Sequence, residues 1–165
     1  MSSVQRPVLC VVAGPNGSGK TSTTEKLLAN EWTADSVYIN PDNIAQSQFG
    51  DWNSQDAVMK AAKEATRLRY FIRFFYVCTE NPNINVLRIA QRYLNGGHEV
   101  PISKIFSRYY KSLTFAAQAI RFVDRAYVYD NSRENELPQL LYRTSEGSVF
   151  KRYSDNIPLW AESLI

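Results

Sequence analysis

Gly14-Pro15-Asn16-Gly17-Ser18-Gly19-Lys20-Thr21 has the residue types and spacing of a phosphate-binding loop. A bound triphosphate needs several backbone N–H donors turned toward its β-phosphate, and glycine lets the backbone come that close. Where such a loop opens onto a helix, the helix N-terminus adds partial positive charge. Lys20 can reach the β- and γ-phosphates, and the Thr21 hydroxyl can join the coordination of Mg²⁺. Ser22, next in the chain, belongs to the same nucleotide-binding set. A Gly-rich turn can share some of these positions by chance, but the complete pattern implies binding of a nucleoside triphosphate such as ATP. It leaves the fate of the phosphate open.

Two further groups could act on that phosphate. Asp42 lies in Asn40-Pro41-Asp42-Asn43, just after an apolar run. Chemistry gathers at the carboxyl ends of parallel strands, so Asp42 can serve as the base that takes a proton from an attacking hydroxyl. It can equally cap a following short helix. Arg88 and Arg92, four apart, share a helix face, and Arg108 opens the run Arg-Tyr-Tyr-Lys-Ser. Arginine forks stabilise the charge that spreads over a phosphoryl group in transit, although a solvated basic face has the same spacing. Gly96-Gly97 between them can hinge a lid. His98, alone in its loop, reads as structural or exposed. Asn131, in Asp130-Asn131-Ser132, reads first as a turn residue and second as a lining of the nucleotide pocket.

These side chains need a scaffold to bring them together. Pro7 to Ala13 is a short apolar run of the kind that forms a buried parallel strand. Lys20 to Asn30 reads as a helix. Ser36 to Asn40 is a second strand, stopped by Pro41. Asp42 to Phe49 reads as a short helix, and Ser54 to Arg69 as a longer one with Ala57, Ala61, Ala65 and Leu68 on one face. Tyr70 to Cys78 is a third strand. A helix starts at Asn83 or Asn85 and ends at Gly96-Gly97. Ser103 to Phe122 is one helix or two, Ala126 to Asp130 a fourth strand, and residues 139–154 a hairpin. Alternating strands and helices predict a single α/β domain over residues 1–165, a P-loop NTPase or kinase fold. Its sheet is mostly parallel and flanked by helices on both faces.

Composition agrees with that class. The chain has 165 residues, 44% of them hydrophobic, which is enough for one real core. A formal charge of +3 suits anionic small molecules and gives no case for nucleic acid. No apolar run reaches membrane-spanning length, and no signal peptide is evident. Cys10 and Cys78 lie in apolar runs and read as buried thiols of a cytoplasmic protein. Trp32, Trp52 and Trp160 read as packing residues.

The segments AGPNGSGKTS, INPDNIA, LRIAQRYLNGGHEVPISKIFSRYYKSL and YVYDNS together resemble the zeta-toxin family of P-loop kinases. The resemblance runs from about Val8 to Asn131. It implies transfer of the γ-phosphoryl group of ATP to a small-molecule hydroxyl, that of a UDP-activated amino sugar in members characterised as toxins. It also implies an antitoxin protein that blocks the ATP site. By position, Lys20 and Thr21 would hold phosphate and metal, Asp42 would be the base, and Arg88, Arg92 and Arg108 would clamp the moving phosphoryl group. One departure stands out. Family members carry a Phe-x-Phe-Glu-Thr strand and a following helix, and the Glu-Thr pair helps bind the sugar nucleotide. Here Leu68-Arg69 runs straight into Tyr70-Phe71. Three origins fit: an internal deletion, a strand supplied by another chain, or a junction across a segment missing from this sequence. Accordingly, two alternatives to a kinase stand beside it: an ATP-binding remnant without transfer, and an NTPase module acting on a partner.

Overall fold

The structure is a computed structural model that describes residues 6–28, 67–97 and 99–165. The expected strand at Ser36–Asn40, the helices expected within residues 42–66, and Asp42, His98, Trp32 and Trp52 lie outside the described residues. So do the side chains of residues 26–28.

Five strands form one sheet in the order β1-β2-β3-β4-β5. They are β1 (Val8–Ala13), β2 (Phe71–Cys78), β3 (Arg125–Asp130), β4 (Gln139–Ser145) and β5 (Ser148–Arg152). The helices are α1 (Lys20–Leu28), α2 (Pro82–Leu94), α3 (Ile102–Ile120) and the single turn α4 (Leu159–Glu162). The first three strands run parallel, with Val8 opposite Phe71 and Arg73 opposite Arg125. β4 and β5 turn back antiparallel. The described sheet is thus parallel over β1–β3 and ends in the antiparallel hairpin expected at about residues 139–154. The alternation of apolar residues along Gln139–Ser145 fixes a strand but not its direction. Glu146 and Gly147, both at positive φ, make the tight turn between β4 and β5.

β2 lies between β1 and β3, and from Phe74 to Cys78 it is wholly buried. That explains why its sequence is nearly all apolar rather than alternating. On one face, Ile72, Phe74, Tyr76 and Cys78 meet Tyr109, Ala116 and Ile120 of α3 and Trp160, Ala161 and Leu164 beyond β5. α3 is a single helix of 19 residues because Ile105, Tyr109, Ser112, Ala116 and Ala119 recur at helical spacing along its inner side. Tyr142 reinforces the join, its hydroxyl donating to the Ala161 carbonyl at 2.6 Å.

The junction before β2 uses neither Gly nor Pro. Arg69 itself takes the left-handed conformation, φ 61°, and Tyr70 leads into β2. The guanidinium of Arg6 donates to the carbonyls of Arg69 and Tyr70 and pairs with Asp124 at 2.9 Å. Asp124 also accepts the backbone N–H of Ile72 at 2.8 Å. Among the described residues, no helix is long and apolar enough to cross a membrane.

Candidate nucleotide site

The parallel register sets the carboxyl ends of three strands side by side. Ala13 lies opposite Tyr76, and Cys78 lies opposite Asp130. The Asn131 N–H continues that ladder to the Cys78 carbonyl at 2.8 Å. The Gly-rich loop, Thr79-Glu80 and Asn131-Ser132 therefore emerge at the same edge, where parallel sheets gather ligands.

The loop from Gly14 to Gly19 is held by its outward carbonyls. Lys20 Nζ donates to the carbonyls of Gly14 at 2.9 Å and Pro15 at 3.1 Å. Asn85 Nδ2 donates to the Asn16 carbonyl at 2.7 Å, and Asn131 Nδ2 to the Ser18 carbonyl at 2.8 Å. Each bond holds one loop carbonyl, so the backbone of Gly14–Gly19 is fixed at four points, as a loop that presents its N–H groups to an anion must be. Gly19 sits at φ 91°, beside the Asn131 amide. Thr23 and Thr24 spend their hydroxyls on the carbonyls of Gly19 and Lys20. Thr21 and Ser22 are exposed at the start of α1. Thr21 thus offers a hard oxygen donor of the kind Mg²⁺ takes together with substrate phosphates and water. Among the described residues, no cluster of three His, Cys, Asp or Glu forms a metal cage of its own.

Two clefts flank the loop's neighbours. One, of about 380 Å³, is lined by Ser22, Arg88, Asn131, Arg133, Leu137 and Pro138, among others. The second, of about 550 Å³, is lined by Arg88, Gln91, Arg92, Asn95, Gly96 and Gly97. Arg88 belongs to both. One of its Nη atoms donates weakly to the Arg133 carbonyl at 3.4 Å, while the other is buried and has no hydrogen-bond partner among the described residues. Arg108 is half-buried on α3 and lines neither cleft. Of the expected site residues, Ser22, Asn131 and Arg88 line one cleft, Arg88 and Arg92 line the other, and Arg108 lines neither. Asp42 lies outside the described residues.

The Gly96-Gly97 pair has a local explanation. The Gly96 N–H bonds the Tyr93 carbonyl and the Gly97 N–H the Arg92 carbonyl, at 3.0 and 2.9 Å, with Gly96 at φ 92°. This is a helix terminus of the Schellman type, which accounts for glycine at these positions.

Sequence reasoning missed three features. Asn85 is completely buried against the phosphate loop; its only sequence signal was as a helix start. Arg133 lines the first cleft. Asp130, read as the end of the fourth strand, is a half-buried acid there. Burial pushes its carboxyl upward, partly opposed by the Ser132 hydroxyl that donates to it at 2.5 Å.

Comparison with known proteins adds three findings. The family model for zeta toxins matches residues 1–68. No curated protein matches the chain by sequence. Among solved structures, the chain is similar to the crystal structure of AvrRxo1-ORF1:-ORF2 with ATP. The TM-score is 0.55 at 13% identity, covering 88% of this chain and 60% of that one. The native AvrRxo1-ORF1:-ORF2 complex gives a TM-score of 0.56 at 13% identity, covering 96% of this chain and 64% of that one. The form with sulphate ions gives 0.53 at 12% identity. This chain thus spans less than two thirds of the length of those it matches. At such identities the likeness is one of fold, and it supports the α/β architecture. The resemblance to zeta toxins is borne out over residues 1–68, a match that ends one residue before Arg69.

Proposed function

We propose that this chain is an ATP-dependent kinase that transfers the γ-phosphoryl group to a hydroxyl of a small molecule. The acceptor class favoured by the zeta-toxin resemblance is a UDP-activated amino sugar. One observation carries this reading: Arg88 of α2 lines one cleft with Ser22, which directly follows the phosphate loop, and with Asn131, whose amide holds the loop at the Ser18 carbonyl. A bare phosphate-binding turn would not need a cation aimed in from a separate helix.

In this reading the loop N–H groups and the N-terminus of α1 receive the β-phosphate. Lys20 exchanges its two loop carbonyls for β- and γ-phosphate oxygens. The nucleoside occupies the cleft between Ser22, Asn131 and the 133–138 loop. Arg88 and Arg92 stabilise the equatorial oxygens of the moving group, and Arg108 is assigned a supporting part. Asp42, by its sequence position, accepts the acceptor's hydroxyl proton as the new O–P bond forms and the bond to ADP breaks. Thr21 would hold Mg²⁺, which when bound neutralises charge on the β- and γ-phosphates. The reading includes a single domain, helices on both faces of the sheet, a cytoplasmic setting and a protein antitoxin.

The deciding experiment is γ-labelled ATP presented with a panel of UDP-sugars and simple hydroxyl metabolites. Acceptor-dependent label transfer is expected, and Asp42→Ala should abolish it. Transfer that survives Asp42→Ala removes Asp42 as the base. A second reading, ATP binding without transfer, is favoured by the direct passage of Arg69 into β2, where the resemblance calls for a substrate-binding Glu-Thr strand. It predicts ATP affinity with no labelled product from any acceptor. A third, an NTPase acting on a partner, predicts phosphate release without an acceptor.

A further inference from the structure

We propose that Asn85 is a positioning residue: a buried latch that fixes the arginine face of α2 in register over the phosphate loop. The inference rests on the reading of Gly14–Thr21 as an ATP site.

Both ends of the Asn85 side chain are committed. Its Nδ2 donates to the Asn16 carbonyl at 2.7 Å, across 69 positions of sequence. Its Oδ1 accepts from the Thr79 hydroxyl at 2.5 Å. Asn85 and Thr79 are each completely buried. Thr79 is itself pinned, since its carbonyl accepts the Tyr109 hydroxyl of α3. A continuous chain of bonds therefore runs from α3 through the end of β2 and α2 to the loop.

The backbone contact is equally close. A Cβ added at Gly17 would lie 2.8 Å from the Asn85 carbonyl oxygen and 3.1 Å from its Cα. Only a residue without a side chain lets α2 approach the loop this far. Asn85, Arg88 and Arg92 fall at i, i+3 and i+7, on one face of α2. A helix rises about 1.5 Å and turns about 100° per residue. A slip of one position at Asn85 would therefore swing Arg88 out of the cleft it shares with Ser22 and Asn131. A buried amide of this kind works by geometry. Apolar packing would tolerate a sliding helix, whereas a bond to one particular carbonyl does not.

The latch makes a measurable distinction between ATP and ADP. Both nucleotides use the loop N–H groups, but only ATP presents a γ-phosphate to Arg88 and Arg92. Titrations of wild type, Asn85→Ala, Thr79→Val and Arg88→Ala with ATP and with ADP test it, with melting curves to confirm that each variant is folded. Thr79→Val removes the hydroxyl that braces Asn85 and keeps the side-chain shape, so it serves if Asn85→Ala does not fold. The expected result is a loss of about tenfold in ATP affinity for each variant, the worth of a charge-assisted hydrogen bond, with ADP affinity held within about threefold. In the Asn85→Ala or Thr79→Val background, Arg88→Ala should add less than about twofold, because its cation is already displaced. Equal losses for ATP and ADP would show that Asn85 shapes the loop alone and overturn the proposal. Fully additive effects of Asn85→Ala and Arg88→Ala, or unchanged affinities, would overturn it too. A wild-type protein that binds neither nucleotide would instead sink the ATP reading, a separate outcome.

Discussion

The side-chain amide of Asn131 donates to the Ser18 carbonyl at 2.8 Å and ties the end of β3 to the phosphate loop across 113 positions of sequence. The same amide lies where a Cβ on Gly19 would come, at 2.1 Å. Gly19 also sits at φ 91°, a conformation that costs other residues roughly 1–2 kcal/mol. Gly19→Ala should therefore break the Asn131 bond as well as strain the loop. ATP affinity is expected to fall by more than about tenfold, since both effects act on the phosphate donors. Asn131→Ala, which removes the bond without the strain, should fall less. Calorimetric titration of the two variants gives the order, and the reverse order would refute this account of the loop.

A second pair of residues works at the opposite end of the strands. Asp124 binds Arg6 at 2.9 Å and the Ile72 N–H at 2.8 Å, while Arg6 is nearly half exposed. An exposed ion pair is worth only about 0–1 kcal/mol. Leaving the N–H of buried Ile72 unpaired costs about 1–3 kcal/mol. Asp124→Ala should thus lower the melting temperature several degrees more than Arg6→Ala, at roughly 2–4 °C per kcal/mol for a chain of this size. Neither should change ATP affinity. Equal melting temperatures for the two variants would contradict the ranking.

What was legible in the sequence follows from the range of each signal. β1, its Gly-rich loop and the start of α1 are local, and their residues dictate them. β2 and β3 were legible as apolar runs because they lie inside a sheet, and α3 as a repeated apolar face. Strand direction was not legible: nothing in Leu140-Leu141-Tyr142 says that β4 runs against β3. Asn85 could not be read as a loop anchor, because its partner Asn16 is 69 positions away. Arg69 could not be read as a left-handed residue, because no local glycine marks it. Arg108 shares a family motif with Arg88, but only the packing of α3 decides which cleft it can reach.

Burial governs the thiols. It pushes Cys78 from its ordinary 9.0 up to about 11, eased by the Thr79 backbone, and pushes Cys10 upward against the pull of Arg73. Burial also raises the buried tyrosines Tyr76, Tyr109 and Tyr142. A group raised by folding contributes stability that is complete below its unfolded value and is lost as pH climbs through the folded one. Stability should therefore hold steady to pH 9 and decline between pH 9 and 11, the span set by Cys78. Urea midpoints across that range will show it. Cys78→Ser should flatten part of the decline, and an identical decline in that variant would exclude the thiol as a source. At pH 8 in the native state, Cys78 should resist a thiol reagent that labels it after unfolding.

The two glycines that end α2 should separate stability from function. At Gly96, φ is 92° and an added Cβ meets nothing within 4 Å. Gly96→Ala therefore pays only backbone strain, roughly 1–2 kcal/mol. At Gly97, an added Cβ falls 2.8 Å from the Arg92 carbonyl oxygen and 3.1 Å from its Cγ. Neither the bond from the Gly97 N–H to that carbonyl nor the last turn of the helix can stay in place. Arg92 lines the second cleft, so Gly97→Ala should carry it away from the nucleotide. We expect Gly96→Ala to melt a few degrees lower with ATP affinity intact, and Gly97→Ala to weaken ATP several-fold with ADP little changed. Paired melting curves and titrations decide it. A Gly97→Ala protein with wild-type ATP affinity would mean that Arg92 takes no part in holding the γ-phosphate.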